Sequence, residues 1–331
     1  MRFVASLDKA LHLRTVPLFG DLPADRLSLL VEYAREELIA AGTVFQVAGA
    51  AVERVRVIVE GEVTATIPNG EPIRLGADTV VGVLEYFAGH APATLEATTD
   101  VVVLSIPTDA IRGMLEDHFD VVVHIFRGLG RTLIRELRTS PTLVARPDAP
   151  VLPPHVEHAE LDEIERILVL RSTMPFRHAG VDAIAALAET THVQRYAPGD
   201  VLWRETDDAS WLGIILHGIV ECETPFRPGC FYFSESGTSA VGFLDALGDD
   251  KRWYEARAKT DVSVLTIQKD DLLDILEDHF DTALACFAAF SELEIEMISR
   301  LRGASVPPPA PPPAASETAP ATATDAAASN T

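Results

Sequence analysis

Met114-Leu115-Glu116-Asp117-His118-Phe119-Asp120 returns later in the chain as Ile275-Leu276-Glu277-Asp278-His279-Phe280-Asp281, with six of the seven residues shared. The two stretches lie 161 residues apart, and Thr99-Asp100-Val101 returns as Thr260-Asp261-Val262 at the same spacing. Upstream the copies align 157 residues apart, pairing Phe19 with Phe176, Gly42 with Gly199 and Gly61 with Gly218. A repeat of this length is a duplicated domain rather than a short solenoid unit. The change of spacing predicts a loop about four residues longer in the second copy, partly between Gly218 and Gly242, around Pro225, Pro228 and Gly229.

Each copy shows the same order of patterns. A short amphipathic helix is predicted over residues 24–34 in the first and 181–189 in the second. Short β-type runs follow, separated by Gly, Pro and Asp, such as residues 55–59, 101–104 and 212–216. Many short strands with frequent turns predict a sandwich or barrel. Gly42, Gly61, Gly199 and Gly218 are expected at tight turns, where positive φ is cheap only for glycine. Each copy closes on a helix, over residues 108–137 with a break near Phe119-Asp120, and over residues 269–301. In the second helix Leu284, Phe287, Phe290, Leu293, Met297 and Leu301 recur every three or four positions, one continuous apolar stripe. Two destinations are open for it: its own barrel, or a second helix in a dimer.

Three segments fall outside the repeat. Residues 1 to about 16 form a short lead-in. Residues 139–160 carry Pro147, Pro150, Pro153 and Pro154 with little periodicity, and read as a stiffened linker. Residues 303–331 are mostly Pro and Ala with Ser and Thr, with almost nothing large and apolar to bury, so disorder is expected. The expected organisation is therefore a first domain over 14–138, a linker over 139–160, a second domain over 161–302 and a tail over 303–331.

The 331 residues agree with two domains at a prior of roughly 150 residues each. Hydrophobic residues are 47% and charged residues 23%, the balance of a soluble globular protein. Lys and Arg number 27 against 50 Asp and Glu, a net charge of −23. Such a surface repels nucleic-acid phosphates and anionic headgroups, so neither nucleic acid nor membrane is expected as a partner. Cys222, Cys230 and Cys286 are too few and too odd in number for a disulfide framework. The start has no signal core and no run of 18 apolar residues occurs, so a cytoplasmic location is expected.

The order of motifs carries a family resemblance. The first copy has Pro17-Leu18-Phe19, a helix, Gly42-Thr43-Val44-Phe45, Gly49, and Ile58-Val59-Glu60-Gly61-Glu62-Val63. The second has Pro175-Phe176, Pro198-Gly199-Asp200-Val201-Leu202, and Ile214-Ile215-Leu216-His217-Gly218-Ile219-Val220. Both reach a Gly-containing turn, a Thr-Asp-Val strand and a closing helix. This order resembles the cyclic-nucleotide-binding domains of the catabolite activator protein and of protein kinase A regulatory subunits, over residues 14–138 and 168–302. The resemblance implies a mainly β fold with flanking α helices: two tandem eight-stranded jelly-roll barrels, each followed by a closing helix.

It also implies where a ligand would sit. In the family a short helix offers backbone N–H groups to the cyclic phosphate. A Glu after a Gly holds the ribose, and an Arg about nine residues later pairs with the phosphate. In the first copy the matching stretch runs from Gly82, Val83 and Leu84 to Thr94. Val83 stands where the Glu belongs, the Arg position falls near Ala91, and no Lys or Arg occurs between Arg74 and Arg112. Only His90 could supply a cation, once protonated. In the second copy the stretch is Gly242, Phe243, Leu244, Asp245, then Arg252, Trp253 and Tyr254. Arg252 holds the phosphate-pairing position, while Phe243 replaces the Glu and Glu255 a small residue. Asp245, Asp249 and Asp250 bring negative charge, so Arg252 either pairs with a phosphate or with one of them. Glu85 and Asp245 are equivalent: each serves either a different ligand or the start of the short helix. Trp253 and Tyr254 either stack on a purine or fill the barrel wall. His118 and His279 are read as helix-turn residues rather than metal ligands.

If cyclic AMP or cyclic GMP binds anywhere, the expected site is the second copy, through Gly242, Phe243, Leu244, Arg252 and Trp253. Gly82, Val83, Leu84 and Thr94 are the weaker candidates. No catalytic residues, metal site or enzyme motif is expected, and no recognition helix follows Leu301-Arg302-Gly303. Two functions remain open at this point. One is a regulatory sensor signalling through its closing helices to a partner protein or a homodimer. The other is a ligand-free interaction or scaffold module.

Overall fold

The computed structural model describes residues 6–68, 70–139, 161–225, 230–234, 240–248 and 251–301. The proposed linker, apart from Thr139, and the Pro/Ala tail lie outside the described residues, as do Asp249, Asp250 and most of the longer loop after Gly218.

The first copy begins with helices α1 (Ser6–Thr15) and α2 (Ala24–Tyr33). Strands β1 (Arg35–Ile39), β2 (Val44–Gln46), β3 (Arg54–Glu60), β4 (Val63–Thr66), β5 (Ile73–Leu75) and β6 (Val80–Val81) follow. A short helix α3 (Val83–Phe87) precedes β7 (Thr94–Ala97) and β8 (Val101–Pro107), and the copy closes on α4 (Thr108–Asp117) and α5 (Phe119–Thr139). The second copy repeats the plan with α6 (Glu163–Ser172), a 3-10 turn at Phe176–His178, and α7 (Val181–Thr190). Its strands are β9 (His192–Tyr196), β10 (Val201–Trp203), β11 (Trp211–His217), β12 (Ile219–Glu223) and β13 (Cys230–Ser234). Then come α8 (Phe243–Gly248), β14 (Glu255–Ala258), β15 (Val262–Gln268), α9 (Lys269–Asp278) and α10 (Phe280–Leu301).

The sheets repeat as the sequence does. In the first copy the orders are β1-β8-β3-β6 and β2-β7-β4-β5; in the second they are β9-β15-β11 and β10-β14-β12-β13. Every pairing is antiparallel. The first copy thus has the eight strands expected of the jelly roll. In the second, an isolated bridge between Gly213 and Val241 occupies the place of β6.

Strand alternation sorts the apolar residues into separate cores. In β3, Val55, Val57 and Val59 turn toward the helices, while Ile58 turns into the barrel with Val63, Leu95, Val101 and Val103. In β11, Leu212, Ile214 and Leu216 face the helices and Ile215 the second barrel. The helix-side core is continuous across both copies. All four glycines expected at turns have positive φ. At Gly61 and Gly218 the requirement is double, because a Cβ there would also strike the carbonyl of Asp100 or Asp261.

The closing helix breaks in both copies, at the two histidines that the sequence reading placed at helix turns. His118 (φ −140°, ψ 83°) and His279 (φ −125°, ψ 72°) leave the helical region, and each carbonyl accepts the N–H three residues on, from Val121 (3.0 Å) and Thr282 (2.8 Å). The start of α6 is set by a reciprocal cap: Asp162 accepts from the Glu165 N–H at 2.8 Å, and the Glu165 side chain accepts from the Asp162 N–H at 2.9 Å. No helix among the described residues is long and apolar enough to cross a membrane, and no group of His, Cys, Asp and Glu among them could hold a metal ion.

Candidate ligand-binding site

The second copy brings its candidate residues together around one guanidinium. Arg252 lies between α8 and β14, its backbone fixed by two hydrogen bonds. Its N–H donates to the Asp207 carbonyl at 2.9 Å, and its carbonyl accepts from the Thr206 N–H at 3.0 Å. The side chain turns inward and is 0% exposed. Its Nη1 donates to Asp245 Oδ2 at 3.3 Å and to the Gly242 carbonyl at 3.3 Å, and its Nη2 donates to the Trp211 carbonyl. The guanidinium lies 4.0 Å from the centre of the Trp203 ring and 5.5 Å from that of Trp211. An acid, two carbonyls and two indole faces therefore surround this cation, which is how a buried charge is tolerated at all. Asp245 is itself 1% exposed. Gly242 (φ +76°) has no room for a side chain, because a Cβ would strike Nη1.

The neighbouring candidates pack rather than open. Trp253 and Tyr254 are buried in the second barrel core with Trp203, their ring centres 4.9 Å apart. Burial, with the negative charge of Asp245, pushes the Tyr254 hydroxyl well above its ordinary pKa. Phe243 turns away from the barrel toward the helical core, 6.4 Å from Phe176 and 4.7 Å from Phe290. Leu244 packs, half-buried, beside both cores.

The first copy keeps the backbone frame and loses the side chains. Ala91 makes the same pair of backbone bonds as Arg252: its N–H donates to Ala50 at 3.0 Å and its carbonyl accepts from Gly49 at 2.8 Å. The strand register likewise equates Gln46, opposite Leu95, with Trp203, opposite Ala256. A methyl and an amide thus replace a guanidinium and an indole. Gly82 (φ +99°) precedes α3, and its N–H donates to Glu85 Oε2 at 2.8 Å. Val83 is buried and Leu84 half-buried, while Thr94 Oγ1 accepts from the Ala48 N–H at 3.1 Å. His90 holds the Ala88 carbonyl through Nδ1 at 3.1 Å. Sequence reasoning missed Arg56, because the search for a cation stopped at the stretch after Arg74. From β3 it lies 5.3 Å from the Phe45 ring centre and 3.8 Å from Glu37 Oε2. Burial pulls its pKa down.

Glu85 gives a pH test of this frame. Burial raises its pKa above the ordinary value by more than its hydrogen bonds lower it. The folded state therefore holds the proton more tightly than the unfolded chain. Stability is unpenalised below the unfolded pKa and falls as pH rises through the raised folded value. Glu85→Gln keeps an oxygen for the Gly82 N–H and removes the titration. The denaturant midpoint of the variant is expected to rise relative to the parent between about pH 4 and 7. A constant difference across that range would mean that Glu85 titrates normally.

The family model described as the cyclic nucleotide-binding domain matches residues 36–118 and 193–279, about half of the chain. The regulatory domain of Toxoplasma gondii protein kinase A, solved with cAMP, is similar at 13% identity over 89% of this chain and 97% of that one, with a TM-score of 0.33. The regulatory subunit of a cAMP-independent protein kinase A from Trypanosoma brucei is similar at 18% identity over 90% and 91% respectively, with a TM-score of 0.33. The N-terminal domain of a transcriptional regulator from Streptomyces coelicolor A3(2) is 28% identical over 37% of this chain and 92% of that one, with a TM-score of 0.33. No curated protein sequence matches the chain. With one family match in each half of the duplication, the chain belongs to the cyclic nucleotide-binding domain family as a tandem member.

Proposed function

We propose that this protein is a non-catalytic, cytoplasmic regulator that acts on a protein partner and needs no cyclic nucleotide to hold its second cassette in place. One observation carries the reading: the Arg252 guanidinium is already enclosed by Asp245, the Gly242 and Trp211 carbonyls and the Trp203 ring. A cyclic phosphate would have to displace Asp245 and enter where the indoles stand. The closing helices lie against both cassette helices and are the elements that would report a change in either cassette. The acidic surface favours a partner with a basic or neutral docking face and disfavours nucleic acid.

Calorimetric titration of the full chain with cyclic AMP, cyclic GMP and cyclic dinucleotides tests this. No heat is expected with any of them up to millimolar concentration, about −4 kcal/mol in binding terms. Micromolar binding of any of these nucleotides would overturn the reading and restore the second copy as a sensor. Loss of that binding in Arg252→Ala would then place the ligand on Arg252.

A further inference from the structure

The closing helices cross between the copies. Helix α5 of the first copy lies against the cassette helix α8 of the second, and α10 of the second lies against the cassette helix α3 of the first. The first contact is backbone on backbone. Gly130 and Gly248 face each other so closely that a Cβ on either would strike the other's Cα. The second contact is a ring stack of Phe87 and Phe287, with centres 4.5 Å apart and planes 20° from parallel.

Between these contacts runs an unbroken series of buried rings. Phe287 stacks on Phe126 at 3.9 Å with planes 12° apart, Phe126 meets Phe290 at 5.5 Å, and Phe290 meets Phe243 at 4.7 Å. The series starts in one cassette helix and ends in the other. Phe126 and Phe287 are also the same position in the two copies, being 161 residues apart. Equivalent residues that meet face to face, with reciprocal contacts on either side, are the signature of an isologous interface. Here that interface lies within one chain.

We infer that the two copies form an internal dimer in which each closing helix clamps the other copy's cassette, so that the cassettes are coupled and neither opens alone. Domains on one chain ordinarily meet through modest polar interfaces and move independently. A shared core with no room at Gly130 and Gly248 removes that freedom. It also uses, inside the chain, the apolar stripe that the sequence left open for a second molecule. Phe287 and Phe290 pack on the first copy; the side chains of Leu293, Met297 and Leu301 lie outside the described residues.

The chain carries its own reporter. All three tryptophans, Trp203, Trp211 and Trp253, are in the second copy, whereas Ile58 is buried in a barrel core built only from the first. Ile58→Ala in the full chain should lower the thermal midpoint by roughly 5–10 °C. Under coupling, tryptophan fluorescence and far-ultraviolet circular dichroism fall together by that amount. A tryptophan midpoint that stays at the parent value while circular dichroism splits into two transitions would overturn the inference. If Ile58→Ala leaves the first copy unfolded at the outset, native tryptophan emission overturns it and unfolded emission supports it. Ile58→Val gives the same reading with a smaller shift.

Discussion

Phe287→Ala is expected to cost about 3–5 kcal/mol in unfolding free energy, among the largest losses for any single truncation in the chain. The ring is fully buried and sandwiched between Phe87 and Phe126. Truncation removes its transfer free energy, leaves a cavity and abolishes two ring contacts, each worth about 0.5–1.5 kcal/mol beyond the area buried. The site has little means to collapse, because the glycine contact between α5 and α8 already holds the helices at backbone distance. Denaturant titration of the full chain measures the loss. Leu168→Ala, on an exposed face of α6, serves as the comparison and should stay within about 0.5 kcal/mol. A loss below about 1 kcal/mol for Phe287→Ala would mean that the two closing helices part without cost, and that the ring series is incidental to stability.

That stripe shows where sequence and structure divide the labour. The repeat of Leu-Glu-Asp-His-Phe-Asp, the turn glycines and the alternating valines were enough to read two barrels, each with its closing helix, because turns and alternation are local properties. The destination of the apolar stripe was not local. Periodicity says that Phe287 and Phe290 need a buried surface; only the packing shows that Phe287 finds it on the other copy and that Phe290 bridges Phe126 of the other copy and Phe243 of its own. Gly130 and Gly248 gave no signal at all, since a glycine inside a helix has no period of its own. The second break, at His279, was legible as a copy of the first, because the repeat carries the same Asp-His-Phe-Asp turn.

The cassettes divide in the same way. The spacing from Gly242 singled out Arg252, and the acidic neighbours raised the question of what it pairs with. Asp245 is in contact with Arg252, while Asp249 and Asp250 lie outside the described residues. Sequence could not choose it, because the choice depends on α8 turning Asp245 inward. Nor could it supply Trp203 and Trp211, which come from β10 and β11, far from the cassette in sequence. In the first copy the cassette spacing already put the Arg position near Ala91, and the shared backbone bonds agree with it, whereas only the strand register identifies Gln46 as the replacement for Trp203.

Arg252→Ala is expected to destabilise the chain by about 3–5 kcal/mol in the absence of any ligand. The mutation strips Asp245 of its guanidinium partner inside a site that water does not reach, and it removes the stacking surface over Trp203. Removing both charges by Arg252→Met with Asp245→Leu should recover most of the loss, because a buried ion pair is worth little more than apolar side chains that fill the same space. A double-mutant cycle built on Arg252→Met and Asp245→Leu therefore predicts a coupling of at least about 1.5 kcal/mol between the two residues, read from denaturant midpoints of the parent, the two single variants and the double variant. The sign of the single mutant separates the two accounts of this residue. A side chain held ready for a phosphate is a strained, unsatisfied group, and its removal from the empty site tends to leave stability unchanged or raise it. A side chain that has become a strut costs stability when removed. A neutral or stabilising Arg252→Ala would return Arg252 to the role of ligand contact, and with it the sensor reading of the second copy.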